Sequence, residues 1–102
     1  MDKKDNGVYK YMDCSTTHIT KEDDKFLDAL TDDLSPDLIV DKYPYGYWML
    51  LMDDAHLEEV LHSTTISDNI KGILRKAKEL DCIWIRLDAD GFEHGDLPKY
   101  DW

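Results

Sequence analysis

The sequence is poor in cysteine, in basic residues and in long apolar runs, and each shortage removes a class of function. Two cysteines, Cys14 and Cys82, lie in different segments and in no Cys-x-x-Cys or Cys/His spacing that would hold zinc, so they read as reduced, small core residues. No stretch approaches the roughly 18 apolar residues of a membrane span, and "MDKKDNGVYKYMDC" has no apolar signal region. The expected address is the cytoplasm. Also missing are a glycine-rich phosphate loop, a Gly-x-Ser-x-Gly turn and a dinucleotide fingerprint. His18, His56, His62 and His94 form no metal-ligand pattern, and each is expected at the surface.

Bases are outnumbered, 12 against 23 acids, for a net charge of −11. Residues 21–70 alone carry thirteen acids and three bases, −10 of that total. Such a field repels phosphate backbones and anionic lipid and attracts basic surfaces. Direct nucleic-acid and membrane binding are therefore disfavoured, and a protein partner with a basic surface is favoured. The surface expected to meet it comprises Glu22, Asp24, Asp28, Asp32, Asp33, Asp53, Asp54, Glu58 and Glu59. The blander reading of these acids is solubility.

The 102 residues suffice for one core, burying roughly 65% of the unfolded surface. A polar lead-in is expected over 1–13 and a single domain over 14–102. "CSTTHI" is β-branched enough for a short strand, and Thr20 with Asp23 forms a variant capping box that starts a helix ended by Pro36. Leu38–Tyr43 and Tyr47–Met52 read as a hairpin turned by Pro44, Tyr45 and Gly46, with Gly46 in a left-handed position and the second strand central. "DDAHLEEVLHSTT" gives a short helix. Ser67 caps a longer one whose apolar stripe is Ile70, Ile73, Leu74, Ala77 and Leu80, and whose Lys71, Arg75, Lys76 and Lys78 form the only basic cluster. "CIWIRLD" follows as a strand, with Ile83, Ile85 and Leu87 on one face and Cys82, Trp84 and Arg86 on the other. The expected fold is α+β: a small sandwich in the order β-α-β-β-α-α-β, with helices on one face of a mainly antiparallel four-stranded sheet.

Candidate chemistry concentrates at "RLDADGFEHGDLPKYDW". Asp88 and Asp90 are weak metal candidates, with His94 as a general base, and would serve a metal-dependent phosphoryl-transfer or hydrolytic enzyme. A calcium loop starting at Asp88 fails, because Gly91 falls at its position 4 and Lys99 at its position 12. The competing reading is structural: Asp88 and Asp90 bond their own turn, Gly91 takes positive φ, and Leu97, Pro98, Tyr100 and Trp102 fold back over the open sheet face. No catalytic residue and no cofactor is assigned. A thiol–base pair of Cys14 and His18 fails on distance, since i and i+4 in an extended strand lie about 13 Å apart. Tyr43, Tyr45, Tyr47, Trp48 and Trp84 could pack in the core or meet a partner, and Tyr45 with Tyr47 are the aromatic partner candidates.

"HITKEDDKFLDAL", "CIWIRLDADG" and "LPKYDW" resemble a group of small acidic proteins of unknown function from bacterial plasmids, phages and other mobile elements. In that group a His-hydrophobic-Thr helix start, a Cys-Asp-Trp-type strand running into Asp-x-Asp-Gly and a Leu-Pro-x-aromatic-Asp-Trp ending occur in the same order. Ile83 stands here where an acid often sits. The group has no assigned catalytic residues; the resemblance implies a setting in which acidic inhibitors of restriction and CRISPR systems occur, some of them nucleic-acid mimics. The expected function is an acidic protein-binding inhibitor or regulator. The alternatives are the metal-dependent enzyme above and an accessory subunit of a toxin–antitoxin or defence operon.

Overall fold

The computed structural model describes residues 7–31, 38–51 and 54–101. Among these the elements are β1 (Tyr11–Ser15), a 3₁₀ turn (Thr16–His18), α1 (Lys21–Thr31), β2 (Ile39–Tyr43), β3 (Gly46–Leu50), α2 (Asp54–His62), α3 (Asp68–Glu79) and β4 (Trp84–Asp88). The expected α+β order is the one observed. The strands form one sheet in the order β1-β4-β3-β2. β2–β3 and β3–β4 pair antiparallel, while β1 runs parallel to β4. β3 is an inner strand, as its two apolar faces imply, and the last strand of the chain is the other.

Local chemistry sets the helix ends. The Thr20 backbone N–H donates to Asp23 Oδ2 at 3.0 Å and the Asp23 N–H donates to Thr20 Oγ1 at 3.1 Å, which closes the expected capping box. Ser67 caps α3 by accepting from the Ile70 N–H at 3.2 Å. α3 closes with the Cys82 N–H on the Ala77 carbonyl at 2.9 Å and the Asp81 N–H on the Lys78 carbonyl at 3.0 Å. That double bond pattern needs a left-handed residue, usually glycine, and here Asp81 takes it at φ 60°. Leu80, expected on the buried stripe, sits at this end and is 46% exposed. The Pro36 stop lies outside the described residues.

Strand alternation divides the sheet. Met12, Cys14, Val40, Tyr47, Met49, Ile85 and Leu87 point to one face and are buried with Leu27 of α1, Leu57 and Val60 of α2, and Ile70, Ile73, Leu74 and Ala77 of α3. All three helices therefore cover one face, as expected. Three sequence expectations shift. β1 begins at Tyr11, so residues placed in the polar lead-in enter the sheet. Gly91 is not at positive φ; a Cβ there would lie 2.4 Å from the Cys14 carbonyl oxygen, so close approach requires the glycine. Gly46, at φ 158°, is required mainly because its Cβ would lie 1.8 Å from the Leu87 oxygen.

The cost of Asp81 in the left-handed region yields the first prediction. Asp81→Gly should raise the unfolding free energy by about 0.5–1 kcal/mol, since the relieved strain of about 1–2 kcal/mol exceeds glycine's extra chain entropy. Urea denaturation measures the difference.

Candidate functional site

The closing acidic segment makes a hydrogen-bonded turn. Asp88 ends β4; its Oδ2 accepts a short hydrogen bond from the Tyr43 hydroxyl and its Oδ1 accepts from the Asp90 N–H at 2.7 Å. The Gly91 N–H closes the turn on the Asp88 carbonyl at 2.9 Å. Both Asp88 oxygens are thus engaged, and Asp90 is exposed. Glu93 and Asp96 turn away to Lys99 at 3.5 Å and Lys76 at 2.7 Å. Among the described residues no group of three or more His, Cys, Asp or Glu side chains converges as a metal site.

His18 overturns its expected surface position: it is 1% exposed. Its Nδ1 donates to the Pro98 carbonyl at 2.7 Å while its Nε2 accepts from the His94 N–H at 2.8 Å. That pair of contacts specifies the neutral imidazole with its proton on Nδ1. His94 Nε2 bonds the Asp13 carbonyl at 2.7 Å. Neither ring serves Cys14, whose thiol is pushed up to about 12 by burial and then by Asp13. The chain around Cys14 and His18 is also not one extended strand, because β1 passes into the 3₁₀ turn after Ser15.

The same contacts correct the expected path of the tail. Tyr100 donates its N–H to the Thr17 carbonyl and its hydroxyl to Asn69 Oδ1, both at 2.7 Å, and Asn69 Nδ2 donates to Asp23 Oδ2 at 3.2 Å. Leu97 packs on the buried core. The tail through Tyr100 is therefore pinned along the 3₁₀ turn and the start of α3, on the helical side, and Trp102 lies outside the described residues.

The candidate acids have mixed settings. Asp28 pairs with Lys42 and Asp54 with Lys78, Asp24 Oδ1 accepts from the Tyr47 hydroxyl at 2.9 Å, and Glu58 lies 3.8 Å from His62. Glu22 and Glu59 are exposed. Asp32, Asp33 and Asp53 lie outside the described residues. Three of the four bases of α3 have internal partners: Lys76 holds Asp96, Lys78 holds Asp54 and Lys71 donates to the Ser63 carbonyl, while Arg75 is exposed. Of the aromatic candidates, Tyr45 is 67% exposed, whereas Tyr47 is 3% exposed and faces the core. Strand parity is the reason: Tyr47 pairs with Leu87 on the helical side.

Among the described residues no helix covers the opposite face of the sheet. Across it the register aligns Asp13, Arg86, Trp48 and Asp41 in one row and Tyr11, Trp84, Leu50 and Ile39 in the next. Trp48 meets Trp84 edge-on at 6.1 Å between ring centres and meets Tyr11 over β4 at 5.2 Å. Tyr43 adds a ring 6.4 Å from Trp48, its phenol pushed up to about 12 by burial and by the hydrogen bond to Asp88. A cleft of about 430 Å³ opens among Tyr9, Tyr11, Asp41, Trp48 and Trp84. Trp48 and Trp84 stand out in the sequence, whereas Tyr9, Tyr11 and Asp41 do not. The alternation of Tyr9, Tyr11 and Asp13 against Lys10, Met12 and Cys14 was the available signal.

Fold and face together define an α+β domain whose described helices lie on one side of the sheet and whose other face is aromatic. The chain belongs to the family described as "Family of unknown function (DUF5983) C-terminal domain", whose model matches residues 11–102. No curated protein and no solved structure matches it. Among the described residues no helix is long and apolar enough to cross a membrane.

Two predictions follow from these contacts. Hydrogen bonds from Lys78, Tyr43 and Lys76 hold the carboxyls of Asp54, Asp88 and Asp96 below their ordinary range. A carboxyl depressed in the folded state adds stability above its unfolded value of about 4 and loses it as pH falls through the folded value. The melting temperature should therefore drop below about pH 4, and Tyr43→Phe should shrink that drop, as read by thermal melts across the acid range. Removal of residues 96–102 should cost about 2–4 kcal/mol through Leu97 and the tail's hydrogen bonds, and Tyr100→Phe about 1 kcal/mol, both measured by denaturant unfolding.

Proposed function

We propose that this protein is an acidic protein-binding inhibitor or regulator that docks on a basic surface of another protein. The observation that carries the reading is the sheet face that no described helix covers, where Tyr11, Trp48, Trp84 and Tyr43 stand together on a molecule of net charge −11. Aromatic side chains on a rigid scaffold are the usual anchors of protein interfaces, and a net charge of one sign steers the encounter with the opposite sign. The resemblance to proteins of mobile elements suggests a nucleic-acid-binding or defence protein as the partner class.

Mimicry of nucleic acid by the helix acids is the narrower form of this proposal. Asp28 and Asp54 already neutralise lysines of the same chain, which leaves Glu22 and Glu59 as better stand-ins for phosphate. Docking through the sheet face does not depend on that mimicry.

Affinity capture from bacterial lysate at low and high salt tests the proposal, with the captured protein then purified and rebound. A basic, nucleic-acid-binding protein should be retained at low salt, released at high salt, and lost on combining Trp48→Ala with Trp84→Ala in a variant whose circular dichroism remains native. If no basic protein is retained at low salt, the proposal fails.

A further inference from the structure

The outer sheet face already holds one guanidinium, and its surroundings show what such a group finds there. Arg86 Cζ lies 5.5 Å from the centre of the Tyr11 ring, and its Nη2 and Nε lie 2.9 and 3.0 Å from Asp13 Oδ1. An aromatic face and a carboxylate together hold the cation. In the same cross-strand row Asp41 occupies the opposite end, beside Trp48. The cleft between them, about 430 Å³, is walled by four aromatic rings and Asp41, with no base among the described residues that line it. Asp41 is exposed, and its carboxylate makes no ion pair with the described residues. The ingredients that hold Arg86, aromatic rings and a carboxylate, are thus present a second time.

We propose that this cleft receives one arginine side chain of a partner protein, its guanidinium lying against Trp48 and Trp84 and pairing with Asp41. The inference rests on the reading of the protein as a binder of basic surfaces and names the anchor. Arginine fits better than lysine because its planar, weakly hydrated head stacks on rings and can meet a carboxylate with two bonds at once. A nucleobase could also stack on these rings, but its phosphates would face Asp13, Asp41 and Asp88 with Arg86 as the only base in the rows described. The cleft's volume is at the small end of ligand sites, sufficient for one long side chain.

The probe is the blocked peptide Gly-Arg-Gly, titrated into the ¹⁵N-labelled full chain while the indole N–H signals of Trp48 and Trp84 are followed. The arginine peptide should shift both indoles saturably, its citrulline counterpart should not, and the lysine peptide should bind more weakly. Asp41→Asn, at an exposed position, should weaken binding about two- to five-fold, whereas Asp68→Asn, at the exposed start of α3 on the helical side, should leave it unchanged. Equal shifts from the citrulline peptide, an unchanged affinity in Asp41→Asn, or tighter binding of an oligonucleotide at the same indoles would overturn the proposal. So would indole shifts that depend on protein concentration before any peptide is added, which would identify a second copy of the chain as the occupant. The capture experiment separates the two readings. A basic partner held as well by Asp41→Asn as by wild type removes the arginine cleft alone, and arginine binding without any basic partner removes the proposed function alone.

Discussion

The structure depends on the position of its last strand. β4 lies between β1 and β3, so among the described strands its backbone is the only hydrogen-bonded link between the N-terminal strand and the β2–β3 hairpin. Among the described strands β1 pairs with β4 alone, and that parallel alignment closes nearly the whole chain into one loop. Such long-range pairing delays the reward for chain ordering until α2 and α3 have brought β4 into place. The parity of β4 then sorts the molecule in two. Ile85 and Leu87 complete the core, Trp84 and Arg86 complete the outer face, and a one-residue slip would exchange them.

The two faces of the sheet handle charge differently. On the helical side, acids are absorbed by nearby lysines, as in Asp28 with Lys42 and Asp54 with Lys78, or by hydroxyls, as in Asp24 with Tyr47. Such exposed pairs contribute little to stability, but they use up carboxylates that the charge total counts as free. On the outer face Asp13 has Arg86 and Asp88 has Tyr43, while Asp41 stands beside rings. Local pairing therefore reveals more about where a cation could dock than the net charge does.

Much of the fold was legible because its signals are local. The Thr20–Asp23 box, the Ser67 cap, the hairpin around Gly46 and the stripe from Ile70 to Ala77 each need only a few neighbouring residues to specify them. What escaped was set across the chain. Tyr9 and Tyr11 looked like part of a polar leader because their alternation includes Lys10, and only the approach of β4 makes them a surface. His18 looked solvated until Pro98 and the His94 backbone, about 80 residues later, supplied its partners. Asp81 carries no glycine signal for a left-handed cap, and Tyr47 differs from Tyr45 only in strand parity. The closing aspartates admit two readings in sequence because a tight turn and a metal site use the same residues at similar spacing.

The row Asp13, Arg86, Trp48 and Asp41 runs across four hydrogen-bonded strands, one residue from each. Adjacent strands in a sheet lie about 4.8 Å apart, so this row is a ruler whose spacing the backbone sets. Side chains mounted in this way lost most of their freedom when the domain folded. A molecule that matches the ruler meets a preorganised surface and avoids the ordering cost that a loop would impose, so selectivity at this face comes from spacing as much as from chemistry.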